Sequence, residues 1–144
     1  MFNTSDNHAL DNLEEEARQE IAQELEHFSH AEGHFLAAWK RGVLLAGPQY
    51  FGTRNHAGCA GRADVDRATT KWDLCPRMDL IARAIGVMSP GEQRFLAALT
   101  SFYNSEDGGR LLRRAGFHGF ADLGGLDFKR RTVLAALVLS YTGW

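Results

Sequence analysis

Leu10, Leu13, Ala17, Ile21, Leu25, Phe28, Ala31, Phe35, Trp39 and Val43 follow one another at steps of three or four. A strand turns alternate side chains to opposite faces, so a repeat of this kind fits only a helix, on which it marks one apolar stripe. Ser5 or Asp6 is placed to cap the start, and Gly47 followed by Pro48 stops the pattern. Gly33 interrupts it, which predicts either a bend in one long helix or the start of a second. The span 6–31 alone would reach about 39 Å at ~1.5 Å per residue.

The rest of the chain agrees. No segment shows the apolar and polar alternation of a half-buried strand, and there is no internal repeat. Residues 51–71, "FGTRNHAGCAGRADVDRATTK", form an irregular segment with at most one short helix near Asp64 to Trp72. Pro76 can open a helix through "RMDLIARAIG", which Gly86 can end. "SPGE" at Ser89 to Glu92 joins an N-cap serine, a proline at the first helical position and a capping-box glutamate, and predicts a helix through Tyr103. "SEDGGRLLRRAG" reads as a short helix with acids first, arginines last and Gly116 as terminator. Asp127 caps a last helix, Phe128 to about Tyr141, whose apolar residues from Thr132 onward point in every direction and predict a buried, surrounded helix. The expected fold is all-α, one compact bundle of about five to six helices over residues 1–144. The 144 residues, 44% hydrophobic and 24% charged, suffice for a core that buries about two-thirds of the unfolded surface.

Charge is divided unevenly along this bundle. Residues 1–27 carry eight acids and one base, Arg18, a net of −7, whereas the remainder carries a net of +5. At 100° per residue Glu15, Glu16, Gln19, Gln23, Glu26 and His30 lie opposite the apolar stripe and must face water or a partner. Glu16 and Glu20, and Glu20 and Glu24, repel at a cost of a few tenths of a kcal/mol each. Solubility needs no such one-signed face, so Glu15, Glu16, Glu20 and Glu26 are candidates for meeting a basic groove, including one built to hold nucleic acid. Two basic clusters, Arg110, Arg113 and Arg114, then Lys129, Arg130 and Arg131, are further candidates for partner binding. Arg113 and Arg114 suit the end of a helix; Lys129 to Arg131 stand in a first turn, where the positive helix end requires an anion nearby, such as Asp122 or Asp127. A pI near 6.3 lies far below that of strongly basic nucleic-acid binders, so direct nucleic-acid contact is not expected.

No P-loop, dinucleotide fingerprint, nucleophile elbow or kinase motif occurs. "HFSHAEGH" brings His27, His30 and His34 within about 60° of one another on a helix, a spacing that can pick up zinc or nickel incidentally. Glu32 stands one position too late for the zinc-protease pattern, and the expectation is solvated histidines. His56, Cys59 and Cys75 offer three soft ligands without a fourth, and neither a metal nor a cofactor is expected. Both cysteines are expected as thiols of a cytoplasmic protein, since residues 1–10 lack the basic start and apolar stretch of a signal peptide and no apolar run is long enough for a bilayer.

The tail "GFHGFADLGGLDFKRRTVLAALVLSYTGW" resembles the ends of small accessory proteins carried by bacterial integrative elements. In size, charged faces and lack of catalytic motifs the chain is similar to anti-CRISPR proteins. That resemblance implies a non-enzymatic inhibitor that occupies or dislodges protein subunits of a CRISPR effector, often at surfaces that grip nucleic acid; it assigns no site residues. The alternative is a regulatory or nucleic-acid-associated accessory protein of a mobile element, and the third is a thiol- or metal-dependent enzyme built on His56, Cys59 and Cys75.

Overall fold

The long apolar stripe is carried by two helices, α1 (Thr4–Ser29) and α2 (Ala31–Ala46), in a computed structural model that describes residues 4–53, 59 and 61–144. The division falls at His30 and not at Gly33, and its cause is local. The Ser29 hydroxyl donates to Glu26 O (2.7 Å), the carbonyl that the His30 N–H would use in an unbroken helix. That N–H turns instead to His27 O (3.2 Å), and the α-helical pattern resumes with His34 N–H to His30 O (3.0 Å). Gly33 has open space around its Cα and stays within α2. Ser5 and Asp6 lie inside α1, whose first residue is Thr4, and not at its cap.

α2 buries Ala31, Phe35, Ala38, Trp39, Gly42 and Val43 and stops at Gly47, whose φ of 122° disfavours any side chain. Antiparallel to α2 runs the last helix, α7 (Phe128–Ser140): a Cβ on Gly42 would lie 3.2 Å from Val133, while Phe35 meets Tyr141 just beyond the end of α7, ring centroids 5.8 Å apart. α5 (Pro90–Tyr103) adds Phe95 to Thr100, all buried. Its start is the capping box read from "SPGE", with Glu92 N–H donating to Ser89 Oγ (3.4 Å) and Ser89 N–H to Glu92 Oε2 (3.0 Å). α6 (Ser105–Arg114) follows after one residue, Asn104, whose side-chain oxygen accepts from Glu106 N–H (3.1 Å) and Asp107 N–H (2.9 Å).

Between α2 and α5 the chain is less regular, with α3 (Arg62–Arg67) and α4 (Met78–Ala84) as its helices. A two-residue antiparallel ladder joins β1 (Phe51–Gly52) to β2 (Cys75–Pro76), which no alternation in so short a stretch can announce. Pro76 thus sits in the ladder, where Arg77 N–H donates to Tyr50 O (2.8 Å), and α4 begins two residues later than the sequence suggests. A 3-10 turn, Lys71–Leu74, is capped by Thr70 and Asp73 and delivers Leu74 O to the Trp39 indole N–H (2.9 Å).

The expectation of a surrounded C-terminal helix is corrected. α7 buries Val133, Leu134, Leu137 and Ser140, but Val138 and Leu139 are about two-thirds exposed. The most enclosed helix is α5, whose residues Phe95 to Thr100 are buried in every direction; α7 packs against α2 and turns its own far side to water. The all-α class itself holds, and no helix among the described residues is long and apolar enough to cross a membrane.

Capping carboxylates make this fold sensitive to acid. Backbone N–H donors hold Asp73 (from Thr69 and Thr70), Glu92 (from Ser89), Asp122 (from His118 and Gly119) and Asp127 (from Arg130) below the ordinary carboxylate range. A carboxyl whose folded pKa is depressed contributes stability above its unfolded value of roughly 4 and loses it as the pH falls through the folded one. Thermal melts should therefore hold their midpoint near neutrality and drop progressively below about pH 4. Asp73→Asn should flatten part of that slope; an unchanged acid profile would deny the caps this role.

Candidate protein-docking surface

α1 has the composition of a good helix former, and its residues from His8 to Glu26 are all exposed. Leu10, Leu13, Ile21, Leu25 and Phe28, the first half of the apolar stripe, are between 57% and 66% exposed. The second half, from Ala31 onward, is the part that enters the core. On the opposite side Glu15, Glu16, Gln19, Gln23 and Glu26 are exposed as well. Among the described residues, the ion pairs of α1 are Arg18 with Glu14 (3.6 Å) and Glu15 (3.9 Å), both open to solvent and worth little. Glu16, Glu20, Glu24 and Glu26 thus keep their charge uncompensated by any ion pair among those residues. A helix with both faces in water rests on propensity and i,i+4 contacts such as Gln19 to Glu15 (3.1 Å), a marginal state even for good helix formers. One end is tethered, since the His27 ring Nε2–H donates to Leu139 O at the end of α7.

The basic clusters are less open than their sequence suggests. Arg110 is engaged by Glu106 (3.2 Å) and Asp107 on its own helix. Arg114 reaches across to donate to Ala82 O (2.8 Å), a carbonyl in the last turn of α4 that lacks a helical partner. Arg130 turns inward: its guanidinium pairs with Asp127 and lies 5.6 Å from the Phe95 ring centre, and only 22% of its side chain is exposed. The anion demanded by a cationic first turn is therefore Asp127, and Arg130 leaves the candidate binding set. Arg113, Lys129 and Arg131 remain exposed.

The histidines stand close, His27 to His34 at 6.2 Å and His30 to His34 at 6.1 Å between ring centres. Among the described residues no three His, Cys, Asp or Glu side chains gather as a metal site. His56 lies outside the described residues. Neither Cys59 nor Cys75 is in a disulfide. Burial, and then the Asp64 carboxylate, push the Cys59 thiol up from its ordinary value, which favours the thiol over the nucleophilic thiolate. Cys75 is buried, its Sγ–H directed at Trp72 O (3.2 Å).

One cluster had no signal in the sequence. The Lys71 amine sits 5.5 Å from the Phe35 ring centre, 5.8 Å from Trp72 and 5.1 Å from Trp144, and donates to Gly143 O. It pins the end of the chain onto α2 by cation–π attraction, using partners far apart in sequence. No family model, curated protein or solved structure matches the chain.

Proposed function

We propose that the protein is a cytoplasmic, non-enzymatic interaction module that docks onto another protein through α1. The observation that carries this reading is the exposure of both faces of that helix, apolar on one side and anionic on the other. Apolar side chains left in water along about 27 Å of helix, from Leu10 to Phe28, contribute nothing to folding but are suited to burial against a partner. The flanking glutamates select a partner that is basic around an apolar groove.

In its most concrete form the protein is a stoichiometric anti-CRISPR-type inhibitor, its acidic rod occupying a protein surface evolved to grip nucleic acid. The size, the charge division and the resemblance of the tail support that version. The reading as a nucleic-acid-associated accessory protein has less charge to draw on, because Arg110, Arg114 and Arg130 are already engaged within the chain.

The test is co-elution with purified CRISPR effector complexes. Glu15→Lys, Glu16→Lys and Glu20→Lys together should retain the helical circular dichroism signal and weaken co-elution about tenfold or more, with a matching loss for the native protein in high salt. Co-elution by the triple variant equal to that of the native protein would remove the acidic face from the interface.

A further inference from the structure

The chain carries a groove of the kind that α1 is shaped to enter. It lies between the end of α2 and the start of α7, has a volume of about 370 Å³, and is floored by Leu44, Leu45, Phe128 and Val133. Phe128 is 80% exposed in it. Arg41, Lys129 and Thr132 complete the lining, and all three are exposed. A basic, apolar groove and an acidic, apolar helix are complementary in charge as well as in polarity.

We propose that two copies of this chain exchange their N-terminal helices, α1 of each lying in the α2–α7 groove of the other. No residue of a chain's own α1 lines its groove. α2 and α7 are antiparallel, and α1 leaves the pair at the end where His27 meets Leu139, whereas the groove is at the other end, around Leu44 and Phe128. Direct pairing of two α1 helices is disfavoured too, because Glu14, Glu20 and Glu24 border the stripe and would face their counterparts. One helix and one groove per chain make a reciprocal exchange that closes a twofold dimer. The exchange uses the same exposed helix as the docking reading, and it holds α1 covered until a better partner competes for it.

Sedimentation velocity over a concentration series tests this. The native protein is expected at twice the mass of one chain at low salt and at a lower average mass as salt is raised. Arg41→Glu with Phe128→Glu turns the groove acidic, and Ile21→Glu with Leu25→Glu spoils the stripe; all four positions are exposed, so thermal melts should report intact folds. Each double variant alone should halve the mass. Mixed together they should recover association, since one intact helix meets one intact groove, though more weakly than two such contacts. A monomeric native protein, a groove variant that still dimerises, or a mixture that stays monomeric would each overturn the exchange. The groove variant also separates the two readings: it should lose the dimer while retaining effector co-elution.

Discussion

Trp39→Ala is expected to remove about 3–5 kcal/mol of stability, a large fraction of the roughly 5–15 kcal/mol that holds a typical domain folded. Trp39 is fully covered at the centre of α2. Its ring stacks on Phe35 (5.8 Å between centres, 13° between planes) and takes Phe51 and Trp144 edge-on at 5.8 and 4.9 Å. Truncation forfeits the transfer of the indole from water and leaves a cavity bounded by four separate parts of the chain, which cannot all collapse into it. The Leu74 carbonyl loses its donor in the same step. Trp39→Phe is the milder comparison, since it keeps most of the aromatic volume while removing the N–H and part of the fused ring; its cost should be about 1–2 kcal/mol. Urea denaturation measures both. If Trp39→Ala cost no more than Trp39→Phe, the packing of this ring cluster would have been overvalued.

The sequence was most informative where structure is decided within one turn. "SPGE" specifies the start of α5 because each partner in the capping box is three residues from the other, and Asp127 specifies the start of α7 for the same reason. Periodicity was equally reliable in marking α1 and α2 as helical. What it cannot report is whether an apolar stripe has anything to cover. Leu25 and Phe35 are indistinguishable members of one pattern, yet the first lies in water and the second is in the core, because the stripe outruns the elements that pack against it. The same limit explains α7, whose apolar residues in every direction indicated a buried helix although Val138 and Leu139 are exposed.

For the candidate site, the acidic face was legible because it needs no partner to be described. The basic residues were not, since sequence gives their charge without their engagements. Arg130 and Arg131 are adjacent, and among the described residues only the first finds a ring, Phe95, and a carboxylate, Asp127, within reach. The α2–α7 groove had no signature at all. It arises where two helices distant in sequence run antiparallel, and its seven lining residues come from two segments that meet only after folding.

Gly108→Ala should destabilise the protein although the substitution favours a helix in isolation. Ala exceeds Gly in helix propensity by about 1 kcal/mol, so at an open position the change is a gain. At Gly108 the added Cβ would stand 2.5 Å from Ser101 N and 2.8 Å from Thr100 C, with Ser101 Cα closer still. These are backbone atoms of α5, and no rotamer change can move them aside. α6 must therefore shift off α5, uncovering Leu111 and weakening the contact that Gly108 makes possible, at a cost of about 1–3 kcal/mol net of the propensity gain. Gly109 supplies the contrast within the same helix. A Cβ there meets only the tip of Arg113, at 3.7 Å, so Gly109→Ala should stabilise by about 0.5–1 kcal/mol. Neighbouring glycines with identical sequence chemistry should thus respond with opposite sign in one denaturation experiment. Stabilisation by both would mean that α5 and α6 are not in close backbone contact, and that the placement of Arg110, Arg113 and Arg114 on α6 needs revision with it.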